Sequence, residues 1–120
     1  MHVTQTCPIQ RIFDEAKARE FYVDYLGFSV EFEHRFEPQL PLYMSVQRGG
    51  LTLHLSGHHG DASPGATVFV RLTGLGALHA ELIAKHYANL RPGLCRAAWG
   101  TEMEVTDPFM NRIKFCESSD

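Results

Sequence analysis

The sequence predicts an α+β fold of two successive βαβββ modules within one domain. Three observations carry this. Two segments have helical apolar spacing, each preceded by one strand-like run and followed by three more. A Gly/Pro-rich break separates the two sets, and an offset near 60 residues lays one set over the other. The chain, residues 1–120, has the length of a single domain, and its 44% hydrophobic content can bury a core without disulfide or metal staples.

A short strand is expected over residues 7–13. Ala18, Phe21, Tyr22 and Tyr25 then fall at i, i+3, i+4 and i+7, which predicts a helix over 14–26 with Asp14 as N-cap and Gly27 as its left-handed terminator. Strands follow over 28–34, 42–48 and 51–56. In the last, Leu51, Leu53 and Leu55 alternate with Thr52, His54 and Ser56, the period of a half-buried strand, and Gly49-Gly50 before it makes a tight hairpin turn. The first module therefore spans about 5–56. Residues 57–65, with three glycines and a proline, read as a linker. The second module, about 66–117, repeats the order. It has a strand over 66–72 and a helix marked by Leu75, Leu78, Leu82 and Ile83, with Thr73 near its cap and Pro92-Gly93 past its end. Strands over 94–98, 101–106 and 112–116 complete it, the last two joined by the turn at 107–111.

The net charge of −3 argues against nucleic acid as the main partner, because phosphate binding needs a basic surface. Cys7, Cys95 and Cys116 are odd in number and form no CxxC pair, which reads as free thiols in a reducing compartment. No apolar run approaches 18 residues and the first residues carry no cleavage pattern, so the expected setting is cytoplasmic, with no membrane segment. No nucleophile motif stands out: Ser45, Ser56 and Ser63 lack a GxSxG context, and Cys7 beside Pro8 reads as an inert thiol.

Ligand-facing candidates come from aromatic and charged residues outside the core pattern. Glu31, Glu33 and Glu37 alternate or nearly so along 29–37, so two or three share one face, either to attract a cation or as a solvated edge strand. Phe28 and Phe32 alternate with these acids and fit a core face. Phe36, in a loop beside Pro38 and Pro41, suits stacking on a planar ring, as does Trp99, the sole tryptophan, placed in a turn before Gly100. His54 lies on the polar-alternating face of its strand. His54, His58, His59 and Asp61 read as solvated linker residues rather than a metal cluster, because a Gly-rich loop does not hold ligand geometry.

Two stretches resemble a known family. FDEAKAREFYVDYLGF at 13–28 and AWGTEMEVTDPFMNRIKF at 98–115 are similar to the opening and closing signatures of glyoxalase/bleomycin-resistance proteins, within the vicinal oxygen chelate superfamily. The resemblance implies βαβββ modules with curved mixed sheets around a concave cavity, homodimers, and sites at the subunit boundary. The superfamily's enzymes hold a divalent metal with two ligands from each half, and the matching positions here are Cys7, His54, Thr67 and Lys114. Only His54 is a good ligand, and a lysine ammonium repels a cation, so no metal or other cofactor is expected. The implied function is non-catalytic sequestration of bleomycin-type glycopeptides or a similar small molecule, through Phe36, Trp99, His54, Phe32 and Glu33. The competing readings are a metal-dependent lyase or dioxygenase of the same fold and a small-molecule sensor.

Overall fold

The computed structural model describes residues 1–119. Asp14 caps the first helix as its position predicts: its backbone is extended and its carboxylate accepts from the Lys17 N–H at 2.9 Å. The helix then changes pitch. One α-helical stretch (α1, Glu15–Arg19) runs into a π-helical stretch over Glu20–Tyr25, in which the Leu26 N–H reaches the Phe21 carbonyl. The wider turn lets Phe21, Tyr22 and Tyr25 all bury, which the 3.6-residue period foresees without foreseeing the pitch. Gly27, at φ 76°, ends the helix.

Two four-stranded sheets have the same layout. The first comprises β1 (Ile9–Arg11), β2 (Ser29–His34), β3 (Tyr43–Arg48) and β4 (Leu51–Ser56), in the order β1-β4-β3-β2. The second comprises β5 (Thr67–Arg71), β6 (Cys95–Ala97), β7 (Gly100–Thr106) and β8 (Arg112–Ser118), in the order β5-β8-β7-β6. In each sheet the first strand runs parallel to the last and the other pairs are antiparallel. Ile9 opposes His54 in one sheet and Phe69 opposes Lys114 in the other, so an offset of 60 holds residue by residue in the parallel pairs. The shared geometry therefore carries the internal repeat where side-chain identity does not.

One face of each sheet packs on the helices. Met44, Val46, Leu53 and Leu55 of the first sheet and Met103, Val105, Ile113 and Phe115 of the second are buried in one cluster with Ala18, Phe21, Tyr22 and Tyr25 of the first helix and Leu75 and Leu82 of α2 (Leu75–Ala84). Thr73 does not cap α2. The cap position is Gly74, at φ 84° and without a side chain, and the Leu75 N–H is satisfied instead by the Glu117 carboxylate of β8 at 2.8 Å. The sequence near α2 holds no trace of that partner, 42 residues away.

The modules are joined by polar clamps around a shared core. Arg48 at the end of β3 makes a two-pronged pair with Glu81 of α2, both distances 2.8 Å, and donates to the Leu26 carbonyl at 2.6 Å. Both side chains are more than a third exposed, which limits the pair to about 1 kcal/mol. Its hydrogen bonds with Arg48 hold the Glu81 carboxyl below its usual range, so its contribution is present above the free carboxylate range and fades on acidification. Tyr25 stacks on Tyr87 at 4.5 Å, and the buried carboxylate of Asp107 accepts from the Tyr22 hydroxyl at 2.6 Å. No helix among the described residues is long and apolar enough to cross a membrane.

Candidate ligand-binding site

The opposite, open face of the first sheet collects the aromatic side chains. A two-residue turn at Gly49-Gly50 pairs Arg48 with Leu51 and, counting back, Ser45 with His54 and Tyr43 with Ser56. On β2 the count is broken by a bulge. Val30 opposes Val46 on the core side, but the next partners are Phe32 and Ser45, leaving Glu31 as the extra residue. Without the bulge Phe32 would follow Val30 onto the core face, as the alternation with Phe28 predicts. With it, Phe28 is buried and Phe32 stands 47% exposed in a row with Ser45, His54 and Ile9.

His54 is held within this row. Its Nδ1 lies 2.7 Å from the Tyr43 hydroxyl, and the rings of Phe32 and Tyr43 meet it edge-on at 5.7 and 5.3 Å. Burial, then the charges of Asp61 and Cys7, raise the Tyr43 pKa, which keeps the phenol protonated at neutral pH. The row continues past the end of β2, where Phe36, 67% exposed, is flanked edge-on by His34 at 4.5 Å and His58 at 5.5 Å. Flat rings held at fixed angles, several with an exposed face, form a stacking surface.

The five candidates do not all converge. Phe32, His54 and Phe36 belong to the open face of the first sheet and the loop that follows. Glu33 opposes Met44 on the other side of β2 and is paired with Arg19 of α1. Trp99 lies in the second sheet, in the two-residue turn between β6 and β7, where it is 54% exposed and its Nε1 donates to Glu102 at 2.5 Å. Sequence reasoning missed Tyr43, which follows from counting back through the hairpin. It named Glu31 with Glu33 and Glu37 as acids that attract a cation or line a solvated edge, but not the bulge, which separates Glu31 from Glu33 and lets its carboxylate accept from the Ser45 hydroxyl at 2.7 Å.

The face does not suit a divalent metal. His54 has one ring nitrogen engaged by Tyr43, and the position equivalent to it in the second sheet is Lys114, whose cross-strand partners are Phe69 and Glu104. Thr67 opposes Arg112, a second cation. Among the described residues no three His, Cys, Asp or Glu side chains gather where a metal could sit. A cavity lies elsewhere, an open cleft of about 600 Å³ between the modules, lined by Leu26, Phe28, Leu51, Val70 and Phe115 with the Arg48–Glu81 pair among its lining residues.

The model of a glyoxalase superfamily protein matches residues 1–120. No curated protein sequence matches the chain. Several solved structures share its fold. A bleomycin-binding protein from bleomycin-producing Streptomyces verticillus, complexed with copper(II)-bleomycin, is 24% identical over 99% of both chains, with a TM-score of 0.70. TnmS3, an antibiotic-binding protein from Streptomyces sp. CB03234, is 20% identical over 98% of this chain and 100% of its own, with a TM-score of 0.72. A bleomycin resistance determinant encoded on transposon Tn5 is 18% identical over 98% and 100%, with a TM-score of 0.69.

Proposed function

The chain belongs to the glyoxalase superfamily, and from that membership together with its open aromatic face we propose that it is a non-catalytic binder of bleomycin-type glycopeptides or a similar flat, cationic small molecule. It confers resistance by holding the drug away from DNA. The observation that carries this reading is the row of exposed, angled rings, Phe32, His54 and Tyr43 with Phe36 beyond, on a face whose equivalent positions cannot assemble a catalytic metal. The planar part of the drug stacks on these rings, and the site works without cofactor. Three free cysteines fit a reducing, cytoplasmic setting.

The functional unit in this reading is a homodimer. Each sheet leaves one face open, and Phe32, Phe36, Phe69 and Trp99 all expose apolar surface there or beside it. A two-fold arrangement that turns the first module of one protomer toward the second module of its partner covers these faces and brings Trp99 of one copy toward Phe32 and Phe36 of the other. Sedimentation equilibrium at micromolar concentration should then return about twice the 13.5 kDa chain mass. A monomer under those conditions counts against both the dimer and the shared cleft.

Calorimetry with bleomycin, alone and loaded with copper(II), tests the ligand. Binding should quench the fluorescence of Trp99, the only tryptophan, and Trp99→Leu should weaken binding by about 1–3 kcal/mol, the scale of an aromatic anchor in a desolvated cleft. Unchanged affinity in that variant would show that the tryptophan is not part of the site.

A further inference from the structure

We infer that the cleft between the modules is a second binding site, separate from the aromatic face, and that it takes a small aromatic carboxylate. The internal repeat shows what the cleft lacks. The turn between the last two strands of each module faces the strand–helix connection of the other module. By the offset of 60 these connections correspond, Arg11, Phe13 and Asp14 on one side to Arg71, Thr73 and Gly74 on the other. The two sides are filled differently. The turn at 107–111 inserts Phe109, 8% exposed, whose ring lies 6.0 Å from that of Phe13. The matching turn is Gly49-Gly50 alone, and the residue matching Phe13 is Thr73. Two phenyl rings are therefore absent from this side, and the cleft of about 600 Å³ opens among Gly49, Gly50, Thr73 and Gly74. Beyond the adjoining residues, no atom lies within 4 Å of where a Cβ on any of these three glycines would stand.

The walls and the charges name the ligand class. Leu51, Val70, Leu72 and Leu78 pack on the core yet stay only partly buried, so their apolar surface on the cleft side is left in water. A ring placed there covers it, as Phe109 does on the other side. The only acid of the lining, Glu81, is committed to Arg48. Arg71 is the cation left over. Among the described residues its guanidinium has neither a hydrogen bond nor an ion pair, only the Phe69 ring at 5.5 Å. Its counterpart Arg11 donates to the Gly57 carbonyl at 2.7 Å and the Ile12 carbonyl at 3.2 Å. The side that lacks its rings thus also carries the uncommitted arginine, which suits a phenyl group bearing a carboxylate. A volume of this size holds a molecule of that kind.

The test titrates hydrocinnamate, and its uncharged counterpart hydrocinnamyl alcohol, into the isotope-labelled full-length protein at fixed pH and ionic strength, following amide chemical shifts. Both should move the Gly49, Gly50 and Gly74 signals in a saturable way. The acid should bind about fivefold more tightly, the scale of one ion pair at an exposed cation. Arg71→Gln should weaken the acid to the level of the alcohol and leave the alcohol within about twofold. Thr73→Phe puts back one of the rings that the other connection carries, and should abolish binding of both while holding or raising the unfolding midpoint. If that variant fails to fold, Arg71→Gln, at an exposed position, decides. The assignment is overturned if the three glycine signals do not shift saturably, or if acid and alcohol bind wild type equally. It is also overturned if Arg71→Gln keeps the preference, or if a folded Thr73→Phe still binds.

Discussion

Replacing Gly100 with alanine is expected to destabilise the protein by about 3 kcal/mol or more, among the largest effects of any single methyl group in this fold. Gly100 opens β7 at φ 153°, in a region that side-chain-bearing residues rarely enter. A Cβ there would lie 2.2 Å from the Glu117 carbonyl oxygen, 3.0 Å from its carbon and 3.1 Å from the Ser118 Cα. All three are backbone atoms of β8, the central partner of β7, so no side chain can swing aside. The clash is relieved only by parting the strands where Gly100 opposes Ser118. Urea unfolding should show the midpoint fall with little change in slope. Gly76→Ala, at an exposed helical position where the new Cβ meets nothing, is the control and should not destabilise. A loss below about 1 kcal/mol at Gly100 would mean that the strand ends separate freely. The same geometry explains why Trp99 is followed by glycine: the tight approach to β8 lets a two-residue turn close on Ala97 and display the indole outside the sheet.

Removing the carboxylate of Asp107 is the second large effect, expected to cost about 3–5 kcal/mol and to lower the unfolding temperature by about 10 °C or more. Asp107 is buried, yet it fills four hydrogen bonds. It accepts from the Phe109 and Asn111 N–H groups at 2.8 Å each, from the Asn111 amide at 2.9 Å and from the Tyr22 hydroxyl at 2.6 Å. Alanine would leave these donors in a dry interior with no acceptor. The network also ties the modules, since the Asn111 amide donates to the Arg11 carbonyl of β1 at 2.7 Å. Burial first, and the Asp107 charge second, raise the Tyr22 pKa well above its ordinary value, so the phenol stays protonated and gives its one proton to the carboxylate. The Gln10 Oε1 lies 2.8 Å from the same hydroxyl, and the buried Gln10 Nε2 has no hydrogen-bond partner among the described residues. Tyr22→Phe should cost less than Asp107→Ala, and the double variant should fall short of the sum of the two, because they share one bond. Additive losses would show that the Tyr22–Asp107 bond carries no weight.

The turn at 107–111 illustrates how much a local reading can reach. Asp-Pro followed by Asn marks a turn in the sequence, and the structure has one, closed by the Asp107 side chain on the N–H groups of Phe109 and Asn111. That the same carboxylate also anchors a helix of the other module is invisible locally, because Tyr22 lies 85 residues away. His54 is a similar case. Strand alternation predicts its polar face, and the Gly49-Gly50 turn sets its partner, so its setting beside Ser45 and Tyr43 is within reach of counting.

Phe32 and Glu33 mark where counting stops. An unbroken alternation along β2 puts Phe32 with Phe28 in the core and groups the acids together. One extra residue at Glu31 exchanges the faces, exposing Phe32 beside His54 and sending Glu33 to Arg19. Nothing in the local sequence announces the bulge, because it depends on how β2 meets β3.

The sequence by itself determined the order of elements, the Asp14 cap, the two-residue hairpin and the repeat of one module after another. These follow from side-chain period and turn chemistry, which act over a few residues. Only the tertiary structure decided which rings face outward, which side of the bulged β2 Glu33 takes, and that Glu117 rather than Thr73 satisfies the start of α2. Those outcomes depend on pairing register and on contacts between distant segments, whose free energies appear only once the sheets have closed.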